Sequence, residues 1–167
     1  MHVEKKIEDR AKIWFLLDRS GSMGSVAEDV IGGFNYFLAD QATQAGECRM
    51  TVVQFDSEDP FEVIADGKKP DDVPELNDSV YQPRGLTPLY DAMGELINRA
   101  DKRIAKRAKA EKSAEDQLVV VFTDGLENDS HRYDRPKVFE LVKKRQDDGW
   151  AFVFMGANQD SYAEGDK

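Results

Sequence analysis

Ile13-Trp14-Phe15-Leu16-Leu17-Asp18-Arg19-Ser20-Gly21-Ser22-Met23-Gly24 is the stretch on which the fold turns. Five apolar residues run without a break and stop at an aspartate, and Gly21 and Gly24 then allow a tight backbone turn. Val26, Val30, Phe34, Phe37 and Leu38 follow at near-helical spacing. A short apolar run without alternation predicts a strand covered on both faces, as in a parallel sheet. Three further runs have the same character. Residues 50–55 end at Asp56, residues 118–122 end at Thr123-Asp124-Gly125, and residues 150–155 end at Gly156. A second helical stripe joins Leu89, Met93, Leu96, Ile97, Ala100 and Ile104. A third joins Val138, Leu141 and Val142, with Pro136 suited to its first turn. Strands alternating with helices predict crossover connections and a three-layer α/β/α sandwich around a mostly parallel, doubly wound sheet.

One link breaks the alternation. Phe61-Glu62-Val63-Ile64-Ala65 follows the second run after only five residues, too few for a crossover helix, so it is expected as an antiparallel edge strand. Residues 67–84 are polar and carry Pro70, Pro74 and Pro83, which predicts a long surface loop. Trp14, Tyr36 and Trp150 are expected in the core, and Cys48 as a small buried residue. Residues 161–167 read as the beginning of another helix, the mark of a shortened chain or a minimal sheet.

Composition narrows the function. A chain of 167 residues is expected to form one domain, spanning 1–167 with its core within 13–156. The 23 basic residues against 33 acidic ones give a net charge of −10, which disfavours a binder of nucleic acid or of an anionic membrane surface. The basic run from Arg99 to Lys112 is expected as a solvated helix face. No apolar run is long enough for a membrane span, and the charged first ten residues carry no secretory leader, so a cytoplasmic protein is expected. One cysteine and two histidines, His2 and His131, disfavour a zinc site.

The first strand delivers Asp18, Ser20 and Ser22 to the carboxyl end of the sheet, where open α/β folds bind ligands. Alternate residues in an extended turn aim one way, so the three share a face. Thr87, in Gly85-Leu86-Thr87-Pro88-Leu89, and Asp124, at the end of the third parallel strand, converge with them if the strands are neighbours. Carboxylates and hydroxyls are hard oxygen donors, suited to Mg²⁺ or Mn²⁺ far better than to Zn²⁺. Each residue also has a plainer role. Ser20 and Ser22 could cap a helix near Ser25, Thr87 could cap one with Pro88 in its first position, and Asp124 could make an Asp-Gly turn. Asp91 is expected on an ordinary polar helix face, with support of the site from behind its ligands as the alternative, and the acidic stretches 56–59 and 127–129 are expected as solvated loops.

Asp18-Arg19-Ser20-Gly21-Ser22, Thr87 and Asp124, in that order and strand context, resemble the metal-ion-dependent adhesion site of the von Willebrand factor A domain. The resemblance runs from Ile13 to Gly156, and its wording in 15–23 and 85–92 is similar to small bacterial or phage members of the family. It implies a Rossmann-like sandwich, here lacking the family's last helix and strand. It also implies a metal site of Asp18, Ser20, Ser22, Thr87 and Asp124, holding Mg²⁺ or Mn²⁺ more readily than Ca²⁺. A protein partner would supply an Asp or Glu to that ion. The resemblance thus points to a binding module rather than an enzyme. Two alternatives stand beside it: a phosphatase of the haloacid-dehalogenase type, and a structural domain whose site is unused. The phosphatase needs a second carboxylate as general acid where this chain has Ser20. No nucleophile elbow, phosphate-binding loop or His-Glu-x-x-His is present either.

Overall fold

The computed structural model describes residues 10–44, 46–124 and 126–156, so the helix start expected at 161–167 lies outside the described residues. Five strands form one sheet: β1 (Arg10–Asp18), β2 (Glu47–Phe55), β3 (Glu62–Lys68), β4 (Asp116–Phe122) and β5 (Ala151–Met155). Their order is β3-β2-β1-β4-β5, all parallel except β3, which runs antiparallel to β2 at the edge. Three helices cover the sheet: α1 (Ala27–Ala42), α2 (Leu89–Lys109) and α3 (Arg135–Asp147).

The faces separate by strand parity. Ile13, Phe15, Leu17, Met50, Val52, Val120 and Phe122 pack with Val30, Phe34 and Leu38 of α1. Trp14, Leu16, Val53, Phe55, Val119 and Val121 pack with Leu89, Met93, Leu96 and Ile97 of α2 and with Val138 and Val142 of α3. Phe15 anchors the first layer, its ring 5.0 Å and edge-on from both Phe34 and Phe37. Both faces of the central strands are therefore buried, and the three-layer sandwich with one antiparallel edge is the fold observed.

Five expectations fail in detail. The run at 150–155 is not covered on both faces: Phe152 and Phe154 pack inward, while Val153 and Met155 are exposed. It lies at the sheet edge, beyond the reach of α1. The stretch 67–84 is not simply a surface loop. β3 continues to Lys68, and Val73, Leu76 and Tyr81 are buried in the α1-side core. Asn35 of α1 holds this stretch by giving and taking a hydrogen bond at the Leu76 backbone (2.9 and 2.8 Å). Tyr36 is 76% exposed, because it sits about 200° around the helix from Phe34 and so faces away from the sheet. Cys48, near the start of β2, is half-buried rather than buried. The basic stretch of α2 is solvated at its lysines, but Arg103 makes two hydrogen bonds to Glu115 (2.9 and 2.7 Å).

From β1 the chain crosses outward to β2, and from β4 it crosses the other way to β5. The connections thus part company between β1 and β4, and the crevice at the carboxyl ends of these two strands is the switch point of the sheet.

Candidate metal site

Asp18 ends β1 at this switch point and is fully buried. Its carboxylate accepts the Ser20 N–H (2.9 Å) and the hydroxyl of Thr123 (2.8 Å), which follows β4. Its backbone carbonyl accepts the buried Tyr81 hydroxyl. Burial, with the neighbouring Asp124 charge as a smaller contribution, raises the Asp18 carboxyl to about 6 against the pull of the Ser20 and Thr123 hydrogen bonds. The Tyr81 hydroxyl is likewise pushed up, by burial first and then by the charges of Asp18 and Asp124.

After Asp18 the chain enters a 3-10 turn (Gly21–Val26) seated on the buried Met23. Ser20 flanks this turn but its side chain makes no capping hydrogen bond. Instead its hydroxyl lies 3.1 Å from that of Ser22, so capping does not occupy it. Asp124 is buried and accepts the Leu126 N–H (3.0 Å), so the turn role and a place beside Asp18 coexist.

Thr87 reaches this end of the sheet through ties at both sides. The Gly21 N–H donates to the Gly85 carbonyl (3.0 Å), joining the first and second loops. Gly85 has φ +68°, and a β-carbon there would fall 2.5 Å from the Ser57 hydroxyl, so only glycine serves. The second and third loops are joined at Thr87 itself. Its N–H donates to the Asn128 side chain (2.7 Å), and its carbonyl accepts the Asn128 N–H (3.0 Å). Thr87 is buried.

Three polar groups expected to be solvated prove to be braces for these loops. Asp91, near the start of α2, accepts the backbone N–H groups of His131, Arg132 and Tyr133 at 2.7–2.8 Å. Burial would raise its carboxyl, but these three donors and the Arg132 charge hold it below the usual carboxylate range. Glu127 and Ser130 answer from the other side, accepting the N–H groups of Tyr90 (3.0 Å) and Asp91 (2.9 Å). The amino end of α2 is therefore capped from the third loop and not by Thr87, since the flanking Pro88 makes no side-chain cap. The Tyr133 ring closes the brace over Gly94, where a β-carbon would lie 2.3 Å from it. In the second acidic stretch, Asp56 is fully buried and takes hydrogen bonds from Arg19 (2.9 Å) and Arg84 (2.6 Å). Burial opposes its charge. The Asp59 N–H, Arg84 and Arg19 outweigh that and keep the carboxyl low. None of these braces had a signal in the sequence beyond polar residues in loops or on a helix.

The donor chemistry suits a hard cation. Neighbouring ligands of an octahedral ion with bonds of about 2.1 Å lie about 3 Å apart, against about 3.4 Å for bonds of about 2.4 Å. The Ser20 and Ser22 hydroxyls, hydrogen-bonded to each other at 3.1 Å, are close enough to share one ion of either size. Asp18 and Asp124 would be the site's carboxylates. No group of three or more His, Cys, Asp or Glu that could hold a metal occurs among the described residues, so any cation held here would need hydroxyl oxygens beside the two carboxylates.

The von Willebrand factor type A domain model matches residues 12–165, nearly the whole chain. The chain belongs to the von Willebrand factor type A domain family. Solved structures agree on the fold of this A domain. The manganese-loaded TRAP protein of Plasmodium vivax superposes with a TM-score of 0.64 at 18% identity, over 92% of this chain and 59% of that one. Proximal thread matrix protein 1 of the mussel byssus gives 0.60 at 18% identity, over 95% and 41%. The pilus adhesin SpaC of Lactobacillus rhamnosus GG, in its open conformation, gives 0.57 at 14% identity, over 90% and 24%. The chain thus spans from about a quarter to three-fifths of the length of these relatives. A search of curated proteins returned no match.

Proposed function

We propose that this A domain is a divalent-metal-dependent protein-binding module. Asp18, Ser20, Ser22, Thr87 and Asp124 hold Mg²⁺ or Mn²⁺ there, and the ion accepts an Asp or Glu side chain from a partner protein. The observation that carries the reading is the pair of hydroxyls 3.1 Å apart beside a buried carboxylate that is costly to charge without a cation. A manganese-loaded relative with the same fold supports the ion class.

Bound in this place, a divalent cation supplies a Lewis-acidic position open to an external carboxylate. The chain's own groups do the rest. Thr123 and the Ser20 N–H orient the Asp18 carboxylate, and Tyr81 holds the backbone beneath it. The Asn128 and Asp91 braces keep the Thr87 loop against the Asp124 loop. With two carboxylates that do no more than balance the ion's double charge, and neutral hydroxyls for the remaining side-chain ligands, an incoming acidic side chain meets less repulsion than it would at an acid-rich site.

Thermal unfolding tests the metal. At a hundredfold excess over Kd, Mg²⁺ adds about 2.7 kcal/mol over EDTA, or about 5–10 °C in Tm for a domain of this size. Ser20→Ala combined with Asp124→Ala removes the increment. An unchanged increment in that double variant would refute the ligand assignment.

A further inference from the structure

We infer that the mouth of this site reads a partner's acidic residue together with apolar neighbours, through Leu86 and Leu126. The inference rests on the metal-site reading and adds the chemistry of the partner: a protein loop carrying one Asp or Glu flanked by aliphatic side chains.

Leu126 is 53% exposed and Leu86 is 48% exposed, the highest values among the exposed aliphatic side chains of the described residues. Each adjoins a candidate ligand. Leu86 directly precedes Thr87, and Leu126 lies two residues past Asp124. A single exposed leucine is ordinary. Two of them, each within two residues of a candidate ligand and on loops that Thr87 and Asn128 tie together, frame the site.

Their exposure is not the result of loose main chain. The Leu86 N–H donates to the Ser57 hydroxyl (2.8 Å), and the Leu126 N–H donates to the Asp124 carboxylate (3.0 Å). The paired hydrogen bonds between Thr87 and Asn128 then join the two loops. The backbones that carry the leucines are ordered by the site's own hydrogen bonds, so a partner meets them with little left to order.

Charge narrows the partner further. Three of the carboxylates near these loops are spent internally: Asp56 on Arg19 and Arg84, Glu127 on the start of α2 and on its own loop, Asp91 on three backbone donors; Glu58, beside Ser57, stays 60% exposed and repels a second partner acid. Arg84 pairs with Asp56 and Arg132 with Glu95, so both of these arginines already have an acidic partner within the chain. A chain of net charge −10 repels a highly acidic segment. One carboxylate for the ion, with aliphatic neighbours for the leucines, satisfies both conditions.

The test uses the protein in Mg²⁺ at about a hundredfold over the Kd found by titration, and three immobilised cyclic peptides. These present Leu-Asp-Leu, Ser-Asp-Ser or Leu-Asn-Leu between Gly-Ser flanks. The expected result is binding of the first about tenfold tighter than the second, no binding of the third, and loss of all binding in EDTA. Leu86→Ser combined with Leu126→Ser brings the first two peptides within about twofold of each other while its Mg²⁺-dependent Tm increment stays that of the wild type. Equal affinity for the first two peptides in the wild type, a preference that survives the double substitution, or no binding of the Leu-Asp-Leu peptide would overturn the inference and leave the metal site standing. Binding that persists in EDTA would instead overturn the metal-site reading itself.

Discussion

Asp18→Asn should stabilise the metal-free protein at neutral pH and abolish its response to metal. The buried carboxyl is raised from its ordinary 3.8 to about 6, chiefly by burial, so keeping it charged above pH 6 costs the folded state about 3 kcal/mol. The sign follows from proton binding. Between pH 3.8 and about 6 the folded chain holds a proton that the unfolded chain has released. The Asp18 contribution to metal-free stability is therefore greatest below about pH 4, falls as the pH rises through 6, and is flat above. Asparagine removes the charge and keeps the shape. Its carbonyl accepts the Ser20 N–H, and its amide donates to the Thr123 hydroxyl, which turns to accept. Allowing for the weaker neutral hydrogen bonds, the net gain is about 1–2 kcal/mol, or about 2–8 °C in Tm. Calorimetry in EDTA at pH 4 and pH 7.5 (chosen about two units below and about one and a half above the raised carboxyl) measures it. The gain should appear at the higher pH and vanish at the lower. Adding Mg²⁺ at pH 7.5 should reverse the order, since only the wild type offers the carboxylate. An asparagine variant less stable than the wild type in EDTA at pH 7.5, or one with the same gain at both pH values, would refute the reasoning.

Two further substitutions probe the braces. Asp91→Ala strands the backbone donors of residues 131–133, so it should cost about 2–4 kcal/mol in urea unfolding and weaken Mg²⁺ binding in a calorimetric titration. Stability lost with metal affinity intact would show that the brace does not position Thr87. Gly94→Ala places a β-carbon 2.3 Å from the Tyr133 ring, which must swing away, so the urea midpoint should fall by the equivalent of about 1–3 kcal/mol. An unchanged midpoint would mean that the ring is not packed as described.

Much of the fold and half of the site could be read from the chain directly, because their signals are local. Leu16 and Leu17 sit side by side in one apolar run, and a strand that is buried on both faces is the arrangement that covers both. Asp18, Ser20 and Ser22 lie within five residues, so one extended turn brings them together whatever else the chain does. The helix stripe through Val30, Phe34 and Leu38 likewise needs only the helical period to declare its buried face.

Asp91, Glu127, Asn128 and Asp56 could not be read in this way. Each is a polar residue among polar neighbours, and its partner is far off in sequence: 40–42 residues for Asp91, 41 for Asn128. The same holds for Val73, Leu76 and Tyr81, isolated apolar residues without a period that the core nevertheless takes in. At β5 the error ran the other way: an unbroken apolar run promised two covered faces, and a place at the sheet edge left one of them open. The sequence alone therefore determined which segments are strands and helices and which side chains offer hard oxygen, since both follow from residues adjacent in the chain. Only the tertiary structure decided which loops are joined and which carboxylates turn inward, because hydrogen bonds between distant loops depend on where the strands set them.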